Sequence, residues 1–186
     1  MPDEAPPLDP RIETLLDKQA IEEVVLRYCR GIDRRDFALV RDCYHPDAHD
    51  HHGSFSGTVD EYVAWVDGLT ARYTWTMHFV ANVLVEFGDD GPHDVASSES
   101  YGVSLHRSDD PRPFMNMATG FRYLDRFERR DGEWRIAERH AIGEWSMPIP
   151  EDAWWAIPDS HPSGRRDASD ALYRVLAAIG KGRADD

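Results

Sequence analysis

Thr74-Trp75-Thr76-Met77-His78-Phe79-Val80-Ala81-Asn82-Val83-Leu84-Val85-Glu86-Phe87 is the stretch on which the fold turns. Before it, apolar residues recur at helical spacing. Here the period drops to two, with Trp75, Met77, Phe79, Ala81, Val83, Val85 and Phe87 alternating against Thr76, His78, Val80, Asn82 and Leu84. A strand of this kind places His78 among apolar neighbours, where an imidazole is costly unless it finds a partner.

Upstream, Asp9-Pro10 reads as a helix start, with Asp as the cap and Pro at the first helical position. Ile12, Leu15, Leu16, Ile21, Val24, Val25, Tyr28 and Cys29 then form one apolar stripe, and Gly31 loosens the helix end just before Asp33. A short second helix carries Phe37, Val40 and Tyr44 and is expected to stop at Pro46. Residues 48–55 read as a short strand. Thr58-Val59-Asp60-Glu61 is a capping box that opens a third helix bearing Tyr62, Trp65, Val66 and Leu69.

Downstream, Gly88 to Pro92 makes a turn. Long strands are expected from about Asp94 to Arg107, Phe114 to Glu128 and Trp134 to Ser146, with Arg130-Asp131-Gly132-Glu133 a hairpin signal. Helices first and long strands afterwards imply an α+β plan, with helices packed on one face of an antiparallel meander. Residues 1–8 read as a disordered tail, 9–147 as the main domain, and 148–186 as a Pro- and Trp-rich arm followed by a helix over about 167–179.

The 186 residues carry 35 Asp and Glu against 21 Lys and Arg, a formal net charge of −14. That balance argues against nucleic acid and against an anionic membrane surface, both of which need a basic face. No apolar run reaches the roughly 18–20 residues of a membrane span. The chain shows no signal peptide, and Cys29 and Cys43 read as buried reduced thiols, so a cytoplasmic location is expected. His49-Asp50-His51-His52 suggests a metal site, but alternation lets at most two of these side chains point together. Ligands with obvious spacing are missing elsewhere, so the sequence reading assigns no metal and no cofactor.

The landmark residues resemble the SnoaL-like branch of the nuclear transport factor two-like superfamily over about residues 10–147. They are Tyr28-x4-Asp33, Asp36-Phe37, Tyr44-His45-Pro46-Asp47-Ala48, Thr76 to Asn82, and Tyr123-x3-Phe127 through Ile136. The resemblance implies a cone-shaped α+β barrel with a pocket inside a strongly curved sheet. The branch includes scytalone dehydratase, bile-acid 7α-dehydratase and hexachlorocyclohexane dehydrochlorinase, in which a His–Asp dyad abstracts a proton. Asp33 and His78 fall where that dyad falls. Tyr28 matches a pocket tyrosine of the bile-acid enzyme, and His106 corresponds to a second pocket histidine of scytalone dehydratase. His51 and His52 stand near that enzyme's catalytic tyrosine, which argues against the same substrate.

The catalytic set implied is His78, Asp33 and Tyr28, with His106, Tyr101, Glu99, Trp65 and His52 against the substrate. For Tyr28 a plain core tyrosine, and for His106 a surface histidine, remain open. The expected activity is a dehydratase-like lyase acting on a cyclic, largely apolar carbonyl compound, an inference drawn from Trp65, Trp75, Phe79 and Tyr101. An isomerase or polyketide cyclase using the same dyad is the alternative, as is a non-catalytic binding or assembly subunit. Apolar residues on the outer sheet face, with Trp154 and Trp155 in the arm, imply a homo-oligomer. The resemblance, to dehydratases that are trimers and scaffold members that are dimers or trimers, implies a trimer before a dimer.

Overall fold

The computed structural model describes residues 8–88, 94–110 and 115–181. Asp9 accepts from the Arg11 amide and Pro10 takes the first helical position, so α1 (Pro10–Arg34) begins where the sequence places it. Ile21, Val24, Val25, Tyr28 and Ile32 are buried, while Ile12, Leu15 and Leu16 near the start stay exposed. Arg35, with φ 51°, turns the chain into α2 (Phe37–Asp42). Gly31 is required at this turn, because a Cβ there would lie 2.6 Å from Val40 Cγ2.

Tyr44 and Pro46 belong to β1 (Tyr44–His52), not to the second helix or its stop. Pro46 is tolerated because the β1 ladder is irregular between Tyr44 and His49, where a missing N–H costs little. A hairpin to β2 (Phe55–Thr58) follows. Then α3 (Val59–Thr70) opens with the expected reciprocal capping box between Thr58 and Glu61.

Four long strands complete the sheet: β3 (Trp75–Phe87), β4 (Val95–Arg107), β5 (Met117–Arg130) and β6 (Glu133–Pro148). The order is β2-β1-β6-β5-β4-β3. The meander of β3 to β6 is antiparallel as expected, but β1 pairs parallel to β6, so the sheet is mixed. The connection between β1 and β6 runs through α3 and the whole meander, long enough for the crossover a parallel pair needs.

Asn82, with φ 48°, is an extra residue in β3, and the β3–β4 register shifts between Ala81 and Val83. The bulge inverts the alternation read straight through this strand. Val85 therefore turns into the core and Phe87 packs edge-on against Trp134 at 5.9 Å, while Phe79 and Leu84 are exposed on the outer face. The helices cover the inner face, where the hydrophobic core lies.

Beyond β6 a 3-10 turn spans Glu151–Ala153, and α4 (Ala171–Ala178) is shorter than expected because Asp170 caps it by accepting from Leu172. Trp154 packs edge-on against Trp75 at 6.0 Å. The expected N-terminal tail, the turn at 88–92, the start of the third long strand and the end of the chain fall wholly or partly outside the described residues. Cys29 and Cys43 are buried free thiols, and burial pushes them up to about 12 and about 11. Among the described residues no helix is long and apolar enough to cross a membrane.

Candidate active site

Asp33 occupies the last turn of α1, and His78 lies on the β3 face that α1 covers. His78 Nδ1 donates to Asp33 Oδ1 at 2.7 Å, and the His78 amide donates to Oδ2 at 2.9 Å. Thr76, two residues before His78 and so on the same face, donates its hydroxyl to Oδ1 at 2.9 Å. Both side chains of the pair are largely buried, 9% and 12% exposed. Burial by itself would raise the Asp33 carboxyl. The hydrogen bonds and charge of His78, with the Thr76 hydroxyl, overcome that and hold it below its ordinary value. An ionised Asp33 can only accept, so Nδ1 carries a proton, and in the neutral form of the ring the lone pair is left on Nε2.

The opposing strand adds His106. Thr76 stands opposite His106 and His78 opposite Ser104, and the His78 and His106 rings meet edge-on at 5.9 Å. The His106 ring also lies 4.7 Å from that of Tyr73. Burial first, then the neighbouring His78, push His106 down to about 3, so it is neutral at physiological pH. Its Nδ1 is buried with no hydrogen-bond partner among the described residues.

Ring contacts run from the dyad along the inner face. His78 meets Phe121 at 6.0 Å, Phe121 meets Tyr123 at 4.5 Å, and Tyr123 meets Tyr28 at 5.6 Å and His52 at 6.1 Å. Tyr28 thus sits in a separate cluster from Asp33 and His78, its hydroxyl in a short hydrogen bond with that of Tyr62. That pair holds two O–H protons and spends one between them, leaving the other to donate elsewhere. Burial raises both phenols above their ordinary value, so both stay protonated. Trp65 and His52 border this cluster, 6.0 Å apart, and His52 stacks on Tyr62 at 5.6 Å.

Beneath the cluster, Arg139 and Asp125 form a fully buried bidentate pair with bonds of 2.7 and 2.6 Å. The guanidinium lies 4.1 Å from the centres of the Tyr28 and Tyr123 rings. Asp50, also fully buried, accepts from the Tyr44 hydroxyl at 2.6 Å.

The arm closes on the back of the dyad through Arg166. Its guanidinium donates to the carbonyls of Ile32, Asp33, Thr70 and Tyr73 at 2.7–3.4 Å, satisfying the C-terminal ends of α1 and α3. Burial lowers it to about 10, which still leaves it charged at neutral pH.

Two expected substrate contacts face the other way. Glu99 and Tyr101 alternate with buried Ser98 and Ser100 and point outward: Glu99 accepts from Arg122 at 2.6 Å, and the Arg122 guanidinium lies over the Tyr101 ring. An unbroken alternation along β4 places them opposite to Ser104 and His106. Trp75 and Phe79 share that outer face, so of the aromatics first read as substrate contacts only Trp65 lies with the inner cluster. Sequence reasoning missed Thr76, which the period of two could have found, and Tyr62, Arg139 and Arg166, which no motif marks.

A six-stranded sheet backed by helices, with the core on its inner face, is an α+β fold of the cone-like kind. The SnoaL-like domain matches residues 13–140, and the chain belongs to that family. A provisionally assigned scytalone dehydratase of Novosphingobium aromaticivorans is similar in structure, with TM-score 0.65, 20% identity, and 81% of this chain and 97% of that one covered. A type 2 LinA hexachlorocyclohexane dehydrochlorinase gives TM-score 0.70 and 19% identity over 80% and 99%. An Asp-to-Asn variant of Rv3472, a Mycobacterium tuberculosis protein of unknown function, gives TM-score 0.61 and 22% identity over 93% and 90%. At these identities the likeness establishes the fold. No curated protein matches the chain in sequence.

Proposed function

We propose that the chain is a cofactor-independent, dehydratase-like lyase whose catalytic unit is residues 9–147, with 148–186 an appended arm. The observation that carries the proposal is the Asp33–His78 hydrogen bond of 2.7 Å, in which the carboxylate fixes the ring and leaves Nε2 as a base. Nε2 takes the proton α to a substrate carbonyl, and the C–H pair moves into an enolate. Asp33 stabilises the imidazolium. The Tyr28–Tyr62 hydroxyl pair hydrogen-bonds the enolate oxygen through its uncommitted O–H, and the proton stays on the phenol. When the enolate collapses it expels the β-hydroxyl, which receives the proton from His78 Nε2 and leaves as water. The product is an α,β-unsaturated carbonyl compound. Similarity to dehydratase and dehydrochlorinase structures supports elimination.

His106, His52 and Trp65, with Phe121 and Tyr123, are the surfaces for a cyclic, largely apolar substrate. The buried thiols fit a reducing, cytoplasmic setting. Exposed Phe79, Tyr101, Trp145 and Met147 on the outer sheet face fit a homotrimer that covers them.

The test is a panel of cyclic β-hydroxy ketones, followed by the rise of enone absorbance with wild type, His78→Ala and Asp33→Asn. Wild type is expected to eliminate water, and each variant to lose on the order of 10²–10⁴-fold with unchanged circular dichroism. Equal rates in wild type and both variants, or no proton transfer to or from any member of the panel, would refute the lyase reading. A product shifted in double-bond position, or a new ring, would assign the same dyad to an isomerase or a cyclase.

A further inference from the structure

On the outer face of the sheet, away from the dyad, the parallel β1–β6 pairing completes what the His49-Asp50-His51-His52 run lacked. His51 lies directly opposite His140, and His49 opposite Glu138. Glu138 and His140 are two apart on β6 and so share a face. Their ligand atoms and that of His51 all lie within 4.8 Å of one another.

We infer that His51, Glu138 and His140 form a surface binding site for a divalent transition-metal ion of the zinc class. The distances carry it. His51 Nε2 lies 3.7 Å and His140 Nε2 3.2 Å from Glu138 Oε1. Metal bonds of about 2.0–2.2 Å in tetrahedral geometry put neighbouring donor atoms about 3.3–3.6 Å apart, and the two distances straddle that edge. Little movement is needed, because the two imidazoles are already stacked, with ring centres 4.5 Å apart and planes 14° from parallel.

An outer-shell contact orients one ligand. His51 Nδ1 lies 2.8 Å from Ser56 Oγ on β2, so Nδ1–H can donate there and leave the Nε2 lone pair toward Glu138. Two imidazoles and one carboxylate suit zinc, nickel or copper better than magnesium or calcium, which favour all-oxygen sites. Three protein ligands leave a fourth position for water. The charge opposing the ion is Arg126, whose Nε lies 3.8 Å from Glu138 Oε2; that side chain also pairs with Glu128. The bound ion would tie β1 to β6, the only parallel ladder among the described residues, and through Ser56 to β2.

Titration calorimetry of the full chain, free of any affinity tag, with zinc sulfate tests this directly. One equivalent is expected to bind in wild type and in His78→Ala. His51→Ala and His140→Ala are each expected to weaken binding at least tenfold, with unchanged circular dichroism. Zinc should raise the melting temperature of wild type and not of those two variants. Binding that is absent in wild type, or undiminished in His51→Ala and His140→Ala, would overturn the site. Loss of binding in His78→Ala alone would place the ion at the dyad and overturn it equally.

Discussion

His106 makes the fold sensitive to mild acid, by an amount that can be worked out. In the unfolded chain a histidine titrates near its ordinary value, about 6.5. In the folded protein burial, with His78, Arg166 and Arg72 nearby, holds His106 down to about 3, against a smaller opposing pull from Asp33. The folded-state value is depressed, so the stability linked to this group is present above the unfolded value and is lost as pH falls from about 6.5 towards about 3. Below 6.5 the unfolded chain binds a proton that the native protein refuses. By pH 5 the linkage relation gives a loss of about 2 kcal/mol, set almost entirely by the unfolded value because the folded one lies so much lower. The assay is urea unfolding followed by tryptophan fluorescence at pH 7.5 and pH 5, for wild type and His106→Asn. Groups that do not interact with His106 cancel in the comparison. Wild type is expected to lose about 2 kcal/mol more than the variant between the two pH values. Parallel losses would show that His106 takes up its proton in the folded state, and would refute its desolvated placement beside the dyad.

Arg139→Met leaves Asp125 unpaired in the core, so chemical denaturation should show a loss of about 3–5 kcal/mol, whereas Arg139→Met combined with Asp125→Leu should recover much of it. Arg166→Met strips the donors from carbonyls ending α1 and α3. Unfolding should show a loss of about 1–3 kcal/mol, and the carbonyl of Asp33 loses a restraint, so turnover should fall while substrate affinity changes little. Phe79→Glu puts a charge on the exposed outer face, and sedimentation velocity should show wild type at three times the chain mass and the variant shifted towards monomer.

Much of this structure can be read in local pattern. Asp9-Pro10 and the Thr58–Glu61 capping box fix two helix starts through hydrogen bonds made within a few residues, and both appear where the sequence puts them. Asp33 and His78 were legible as a pair through the resemblance to SnoaL-like enzymes, with the cost of an unpartnered imidazole in an apolar strand in support. What could not be read depends on contacts distant in sequence. The parallel β1–β6 ladder brings together residues such as His51 and His140, whose spacing carries no local signal. The bulge at Asn82 reverses the facing of half of β3, although nothing in the alternation announces it. Glu99 and Tyr101 were placed inside for want of a register, which the pairing of β4 with β5 supplies. Arg139 looks like any surface arginine in a polar alternation until Asp125, 14 residues earlier, is seen beside it.

The measurement closest to the proposed chemistry is long-range proton–nitrogen correlation of the His78 ring in the 15N-labelled protein. In the neutral form of the ring the hydrogen bond to Asp33 predicts a proton on Nδ1 and a bare Nε2, with that preference weakened or lost in Asp33→Asn. A proton on Nε2 alone, or a wild-type pattern unchanged by Asp33→Asn, would mean that Asp33 does not set the tautomer. His78 would then lack the base on which the elimination depends.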